Sequence, residues 1–127
     1  MYRIVTNNRL CRDKYTDSMS VEYLDNGSYL DVLTKVRDYI QSGWRLETHP
    51  MTGSLKPNQT PYKSVIVSDR STDREEFYNQ ETTIENSILA CRKFQEIRST
   101  PDWNAALRED FMEVDLSLIE GAIQKIL

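Results

Sequence analysis

The sequence predicts an α/β fold: a small three-layer sandwich with a mostly parallel four-stranded sheet flanked by helices, and a helical C-terminal half. Three observations lead there. Tyr2 to Thr6 (YRIVT) and Ser64 to Ser68 (SVIVS) are β-branched and continuously apolar at their centres, as strands buried on both faces are. A strongly amphipathic helix lies between two alternating segments in the first half, and residues 69–127 are patterned as helix. The resulting order, β-α-β-α-β-loop-β-α-α, with the most apolar strands central, gives sheet order 2-1-4-3. The direction of the fourth strand stays open, because the loop before it suits a wide hairpin as well as a crossover.

The first strand runs into Thr6-Asn7-Asn8, and Asn8 is a favoured N-cap for a short helix carrying Leu10, Cys11 and Tyr15. In VEYL, Val21 and Tyr23 share a face, and in WRLET, Trp44 and Leu46 do, an alternation that suits edge strands. Between them Leu30, Leu33, Val36 and Ile40 recur at helical spacing, widened by Val32 and Tyr39. Ser28 with Asp31 forms a capping pair there, and Gly43 a stop. Farther on, Thr82 with Glu85 is expected to cap a helix carrying Ile84, Ile88, Cys91 and Phe94 and ending about Arg98. Thr100, Pro101 and Asp102 supply a cap, a first-turn proline and a first-turn acid for a last helix. Its stripe of Trp103, Leu107, Phe111, Val114 and Leu118 is expected to be core, with a homodimer interface as the alternative, since Ile119, Ile123 and Ile126 spread the apolar surface around the helix.

A chain of 127 residues can bury one core, so a single domain over 1–127 is expected, with 1–68 forming the sheet and 69–127 packing on it. The charged N-terminal stretch does not resemble a secretory segment, and no apolar run is long enough for a spanning helix, which predicts a cytoplasmic protein with no membrane partner. Cys11 and Cys91 match no metal or redox spacing and are expected to be apolar fillers. Residues 1–72 carry ten Lys/Arg against eight Asp/Glu, and 73–127 carry six against twelve. A pI near 5.0 argues against nucleic acid as the partner and places any anion site in the first half.

The stretch most suggestive of function is HPMTGSLKPNQTPYKS, which holds the only histidine, three of four prolines and no acid. Connections longer than about 12–15 residues without secondary structure are uncommon and tend to be functional or disordered, and the prolines argue for order. Gly53-Ser54 would let backbone amides approach an anion with Lys56 as fixed charge, while Asn58, Thr60 and Tyr62 add polar groups. The spacing is not that of a P-loop. His49 is the candidate general acid/base, although no neighbouring Cys, His or acid completes a triad or a metal set, and neither metal nor cofactor is expected. Thr6, Asn7 and Asn8 form a second candidate, because ligand crevices in open sheets lie beyond the carboxyl ends of strands.

The TNN turn, the passage VRDYIQSGWRL and above all HPMTGSLKPNQTPYKSV resemble the GrdX family, small proteins encoded beside glycine, sarcosine and betaine reductase genes. The resemblance spans roughly residues 1–68. The family pattern has Leu-Ser where this chain has Met51-Thr52, and glutamate where it has Gln59, which removes a candidate proton acceptor. The resemblance implies a bacterial, anaerobic amino-acid-reducing context, with reductase complex subunits or a small anionic metabolite as partner. Three functions follow as expectations. The first is an accessory protein of that system, more a binder than an enzyme, using the 49–63 loop and the Asn7-Asn8 turn. The second is a small enzyme acting on a phosphate or amide compound through His49. The third is an assembly factor or homodimer built on the C-terminal helix.

Overall fold

A computed structural model of the chain describes residues 1–51 and 55–126. The elements are β1 (Tyr2–Thr6), α1 (Arg9–Tyr15), β2 (Ser20–Tyr23), α2 (Tyr29–Gln41), β3 (Arg45–Leu46), β4 (Ser64–Ser68), α3 (Arg74–Ile97) and α4 (Ala105–Ile126). The strands lie in the order β2-β1-β4-β3, as the placement of the most apolar strands predicts. β1 pairs in parallel with β2, Ile4 opposite Val21, whereas β4 runs antiparallel to β1, Ile4 opposite Ile66, and to β3, Leu46 opposite Val67. The sheet is therefore mixed, a departure from the mostly parallel expectation. Its cause is the connection: β3 and β4 are neighbours with no helix among the described residues between them, so the chain doubles back in a wide hairpin.

Alternation along the two central strands divides the core between two layers. Val5, Val65 and Val67 point to one face, where they meet Val32, Leu33, Val36 and Ile40 of α2 and Ile84, Ile88 and Cys91 of α3. Ile4 and Ile66 point to the other, against Cys11 of α1 and Ile119 and Ile123 of α4. Burial of this kind contributes about 1.5–3 kcal/mol for each large apolar side chain. The two free cysteines are buried on opposite faces of the sheet.

α1 begins at the Asn8 cap, whose side chain accepts from Leu10 N. α2 begins at a complete Ser28/Asp31 capping box, and Gly43 follows its end with φ +96°, the left-handed backbone that favours glycine. α3 starts earlier than predicted. Its cap is Asp73, which accepts from Glu76 N, so Thr82 and Glu85 are mid-helix; the first turns are too polar for the apolar stripe to reveal them. Likewise Thr100 does not cap α4. Asn104 Oδ1 accepts from Leu107 N instead, while the Thr100 hydroxyl donates to Pro57 O.

The buried face of α4 also differs from the predicted stripe. It consists of Met112, Asp115, Ile119 and Ile123, leaving Leu107, Val114 and Leu118 about 39–49% exposed. Ile119 and Ile123 seat the helix on the sheet, and the rotation they impose turns the acidic Asp115 inward.

Candidate functional site

At the edge of the sheet where β1 ends and β4 begins, Thr6 lies opposite Ser64. Three further polar side chains, those of Asn8, Cys11 and Asp115, close around that pair. Asp115 Oδ2 accepts from Ser64 Oγ at 2.7 Å and from Asn8 Nδ2 at 3.0 Å, and its Oδ1 accepts from Ser64 N at 3.1 Å. With the Ser64 proton given to the carboxylate, the Thr6 hydroxyl donates to Ser64 Oγ at 2.7 Å and accepts from Asn8 N at 3.0 Å. Cys11 Sγ lies 3.3 Å from Ser64 Oγ, and burial, reinforced by the charge of Asp115, pushes its thiol up to about 12. A thiol held so far above its usual range stays protonated and is a poor nucleophile. Lys63, one residue away, is also buried, which lowers its ammonium pKa while Asp115 works in the opposite direction.

Asn7 faces the other way. Its Nδ2 donates to Gly27 O at 2.9 Å and Pro61 O at 2.8 Å, and its Oδ1 accepts from Lys63 N at 2.9 Å, so one amide ties three chain segments together. The turn it holds contains Asn26 at φ 59°, which asparagine tolerates. At Gly27 a Cβ would come within 2.9 Å of Leu24 Cβ.

The described part of the 49–63 loop clasps the end of α3. Asn58 Nδ2 donates to Phe94 O and Arg98 O, at 3.1 and 3.2 Å, satisfying carbonyls at the helix terminus. Pro57 O accepts from Gln95 Nε2 and from the Thr100 hydroxyl. Gln59 O accepts from Trp103 Nε1 at 2.8 Å, and Gln59 Oε1 accepts from Lys56 N at 3.0 Å. The loop thereby fixes the 98–104 linker and stands Trp103 beside the end of the sheet.

These constraints shape an open cleft of about 520 Å³, lined among others by Asn7, Arg9, Tyr23, Tyr62, Trp103 and Arg108. Its size falls within the usual range of small-molecule sites. Arg9 Nη2 donates to Glu109 Oε1 at 2.5 Å, while Arg108 donates through Nη2 to Asp102 Oδ1 at 2.6 Å and through Nε to Trp103 O at 2.7 Å. These hydrogen bonds leave each guanidinium with further N–H donors. Burial pushes the Tyr62 phenol pKa up, and the charges of Arg108 and Arg9 pull in the opposite direction. The cleft can offer convergent cationic donors beside aromatic walls.

Residues 3–124 match the model of the family described as GrdX-like protein. The chain belongs to the GrdX-like family. No curated protein and no solved structure matches it. The family match covers nearly the whole chain, so it takes in the α3–α4 half from which Trp103 and Arg108 come.

Within this GrdX-like fold, the predicted site residues are not brought together as one site. Thr6 and Asn8 are in the buried knot, and Asn7, Pro61 and Tyr62 border the cleft. Asn58 and Thr60 serve the loop itself, the Thr60 hydroxyl accepting from Tyr62 N at 3.2 Å. Lys56 is exposed, with its Nζ 5.8 Å from the Phe94 ring centre. Gly53 and Ser54 lie outside the described residues. His49 follows β3, with β4 and β1 between that strand and β2. It borders a separate groove with Glu47, Glu76 and Gln80, and its Nδ1 accepts from Met51 N at 3.0 Å. Among the described residues, no cluster of His, Cys, Asp and Glu could hold a metal ion, and no helix is long and apolar enough to cross a membrane.

Arg9, Tyr23, Trp103 and Arg108 were not among the residues that the sequence marked for the site. A tryptophan between Pro101-Asp102 and a helix start, followed five residues later by an arginine, was the available signal for the second-half pair.

Proposed function

We propose that the protein is an accessory component of the glycine/sarcosine/betaine reductase system that receives a small anionic metabolite, or an anionic group of a reductase subunit, in the cleft bordered by Pro61 and Tyr62 at the end of the 49–63 loop. Membership of the GrdX-like family supports the context. The observation that carries the binding role is that Arg9, Arg108, Tyr62 and Trp103 line one cleft at the strand ends. The family-like KPNQTPY segment contributes by positioning Trp103 and Tyr62.

The test is thermal unfolding of wild type and Arg108→Gln with acetate, phosphate, acetyl phosphate, glycine, sarcosine and betaine. A ligand at about 100 times its Kd adds about 2.7 kcal/mol, a shift of several degrees for a domain of this size. Stabilisation of wild type by one compound and its loss in the variant is the expected result. No shift with any compound, together with no capture of reductase subunits, overturns the reading.

A second reading, an assembly role or homodimer through α4, is favoured by the exposed Leu107, Val114 and Leu118 on that helix. Sedimentation of wild type against a Val114→Glu, Leu118→Glu variant tests it, with a dimer lost in the variant as the supporting outcome.

A further inference from the structure

The charge balance of the cleft sharpens what it can hold. Its lining contains two cations, Arg9 and Arg108, and two acids, Asp25 and Asp102. Glu109 sits on Arg9 and Asp102 on Arg108, so the guanidinium groups are already matched in charge although not in donor number. A phosphate dianion would face these acids without enough positive charge to offset them. A simple cation would lie beside two arginines. An anionic group therefore fits this lining best when the same molecule also carries a positive charge.

The aromatic walls supply the remaining chemistry. Trp103 is anchored through Nε1 to Gln59 O and packs on Phe111, with ring centres 5.5 Å apart. Tyr23 carries the Arg12 guanidinium 4.5 Å from its ring centre, so a cation already rests on one cleft aromatic. Tyr62 lines the same cleft as both arginines. Rings held in place in this way favour an organic cation without first paying an ordering cost.

Building on the reading that the cleft is a ligand site, we infer that it selects a small zwitterion. The carboxylate meets the spare donors of Arg9 and Arg108, and an ammonium, free or N-alkylated, lies against Tyr62 and Trp103 on the side of Asp25. One molecule then answers both signs of charge, which a plain anion does not.

Calorimetric titration of the wild-type chain tests this with N,N,N-trimethylglycine and glycine as zwitterions. 3,3-Dimethylbutyrate serves as the isostere lacking the positive charge, choline as the cation lacking a carboxylate, and inorganic phosphate as the simple anion. The expected result is binding of a zwitterion, with the isostere lacking the positive charge and choline each about tenfold weaker or worse, since a cation–π contact and an ion pair each contribute on that scale. Trp103→Leu should narrow the gap between trimethylglycine and 3,3-dimethylbutyrate, and Arg108→Gln the gap between trimethylglycine and choline. Equal or tighter binding of 3,3-dimethylbutyrate or phosphate overturns the zwitterion and leaves an anion site standing. Equal or tighter binding of choline overturns it in favour of a cation site. Absence of binding by every probe overturns both the zwitterion and the small-molecule reading of the cleft.

Discussion

Two groups of polar side chains stand next to each other at one edge of the sheet, and they differ in how much hydrogen-bonding capacity they keep. In the knot, Asn8 donates to Met112 O and Asp115 and accepts from Leu10 N, while the Asp115 carboxylate accepts from Ser64 and Asn8. In the cleft, Arg9 and Arg108 make surface ion pairs that leave N–H donors over. Asn7 and Asn8 are adjacent in sequence and both buried and hydrogen-bonded, Asn8 within the knot and Asn7 in the wall of the cleft, so the spare capacity belongs to the arginines. The difference separates polar residues that hold the fold from those that can recognise a ligand, and it can be broken from either side.

The largest effect is expected in the knot. Asp115→Ala removes the acceptor shared by Ser64 and Asn8 and leaves their donors buried. The loss should be about 3–5 kcal/mol, read from the urea midpoint, because removing one partner from a buried charged network strands the others. A loss below about 1 kcal/mol would mean that the knot tolerates water and is not an anchor.

Next in size is the clasp. Asn58→Ala withdraws the donor to Phe94 O and Arg98 O and should cost about 1–2 kcal/mol. The same change should loosen the linker bearing Trp103, whose fluorescence would shift towards that of a solvated indole. A stability loss with unchanged emission would show that Gln59 O alone holds the indole.

Much of this architecture was legible in sequence, and the misses share a physical cause. Strand burial, the Ser28/Asp31 box and the Asn8 cap are local or periodic signals, and the chain folds as they indicate. The rotation of α4 was not, because an inward Asp115 looks like a solvent residue until Ser64 and Asn8 are known to meet it. The loop stands out in the sequence, but the reach of Asn58 to Phe94 O spans 36 positions and no local pattern encodes it. The cleft draws on both ends of the chain for the same reason, Arg9 from α1 and Arg108 from α4. At Gln59 the side-chain oxygen accepts from a backbone amide, a role that glutamate would also fill, so the difference from the family pattern need not alter the turn.

A graded effect is expected from pH. The Cys11 thiol is raised from 9.0 to about 12, so above pH 9 the unfolded chain gives up this proton while the folded chain keeps it. Folding then binds more protons than unfolding, and stability present in full below pH 9 falls progressively as pH rises towards about 12. Other groups titrate in that window, so the measurement is the difference between wild type and Cys11→Ala, with the steeper alkaline decline in wild type. Parallel declines would show that the thiol reaches solvent.

The smallest stability effect should come from the cleft, and there the comparison is sharpest. Arg108 is about half exposed, and its pair with Asp102 is a surface ion pair of the kind that contributes about 0–1 kcal/mol. Arg108→Gln should therefore leave the urea midpoint almost unchanged, with a residual effect that shrinks further in salt. Ligand-dependent stabilisation should nevertheless disappear, because the spare donors that distinguish this side chain from the knot are gone. A variant that loses several kcal/mol instead would place Arg108 among the residues that hold the fold, and recognition would then have to rest on Arg9 and the aromatic walls.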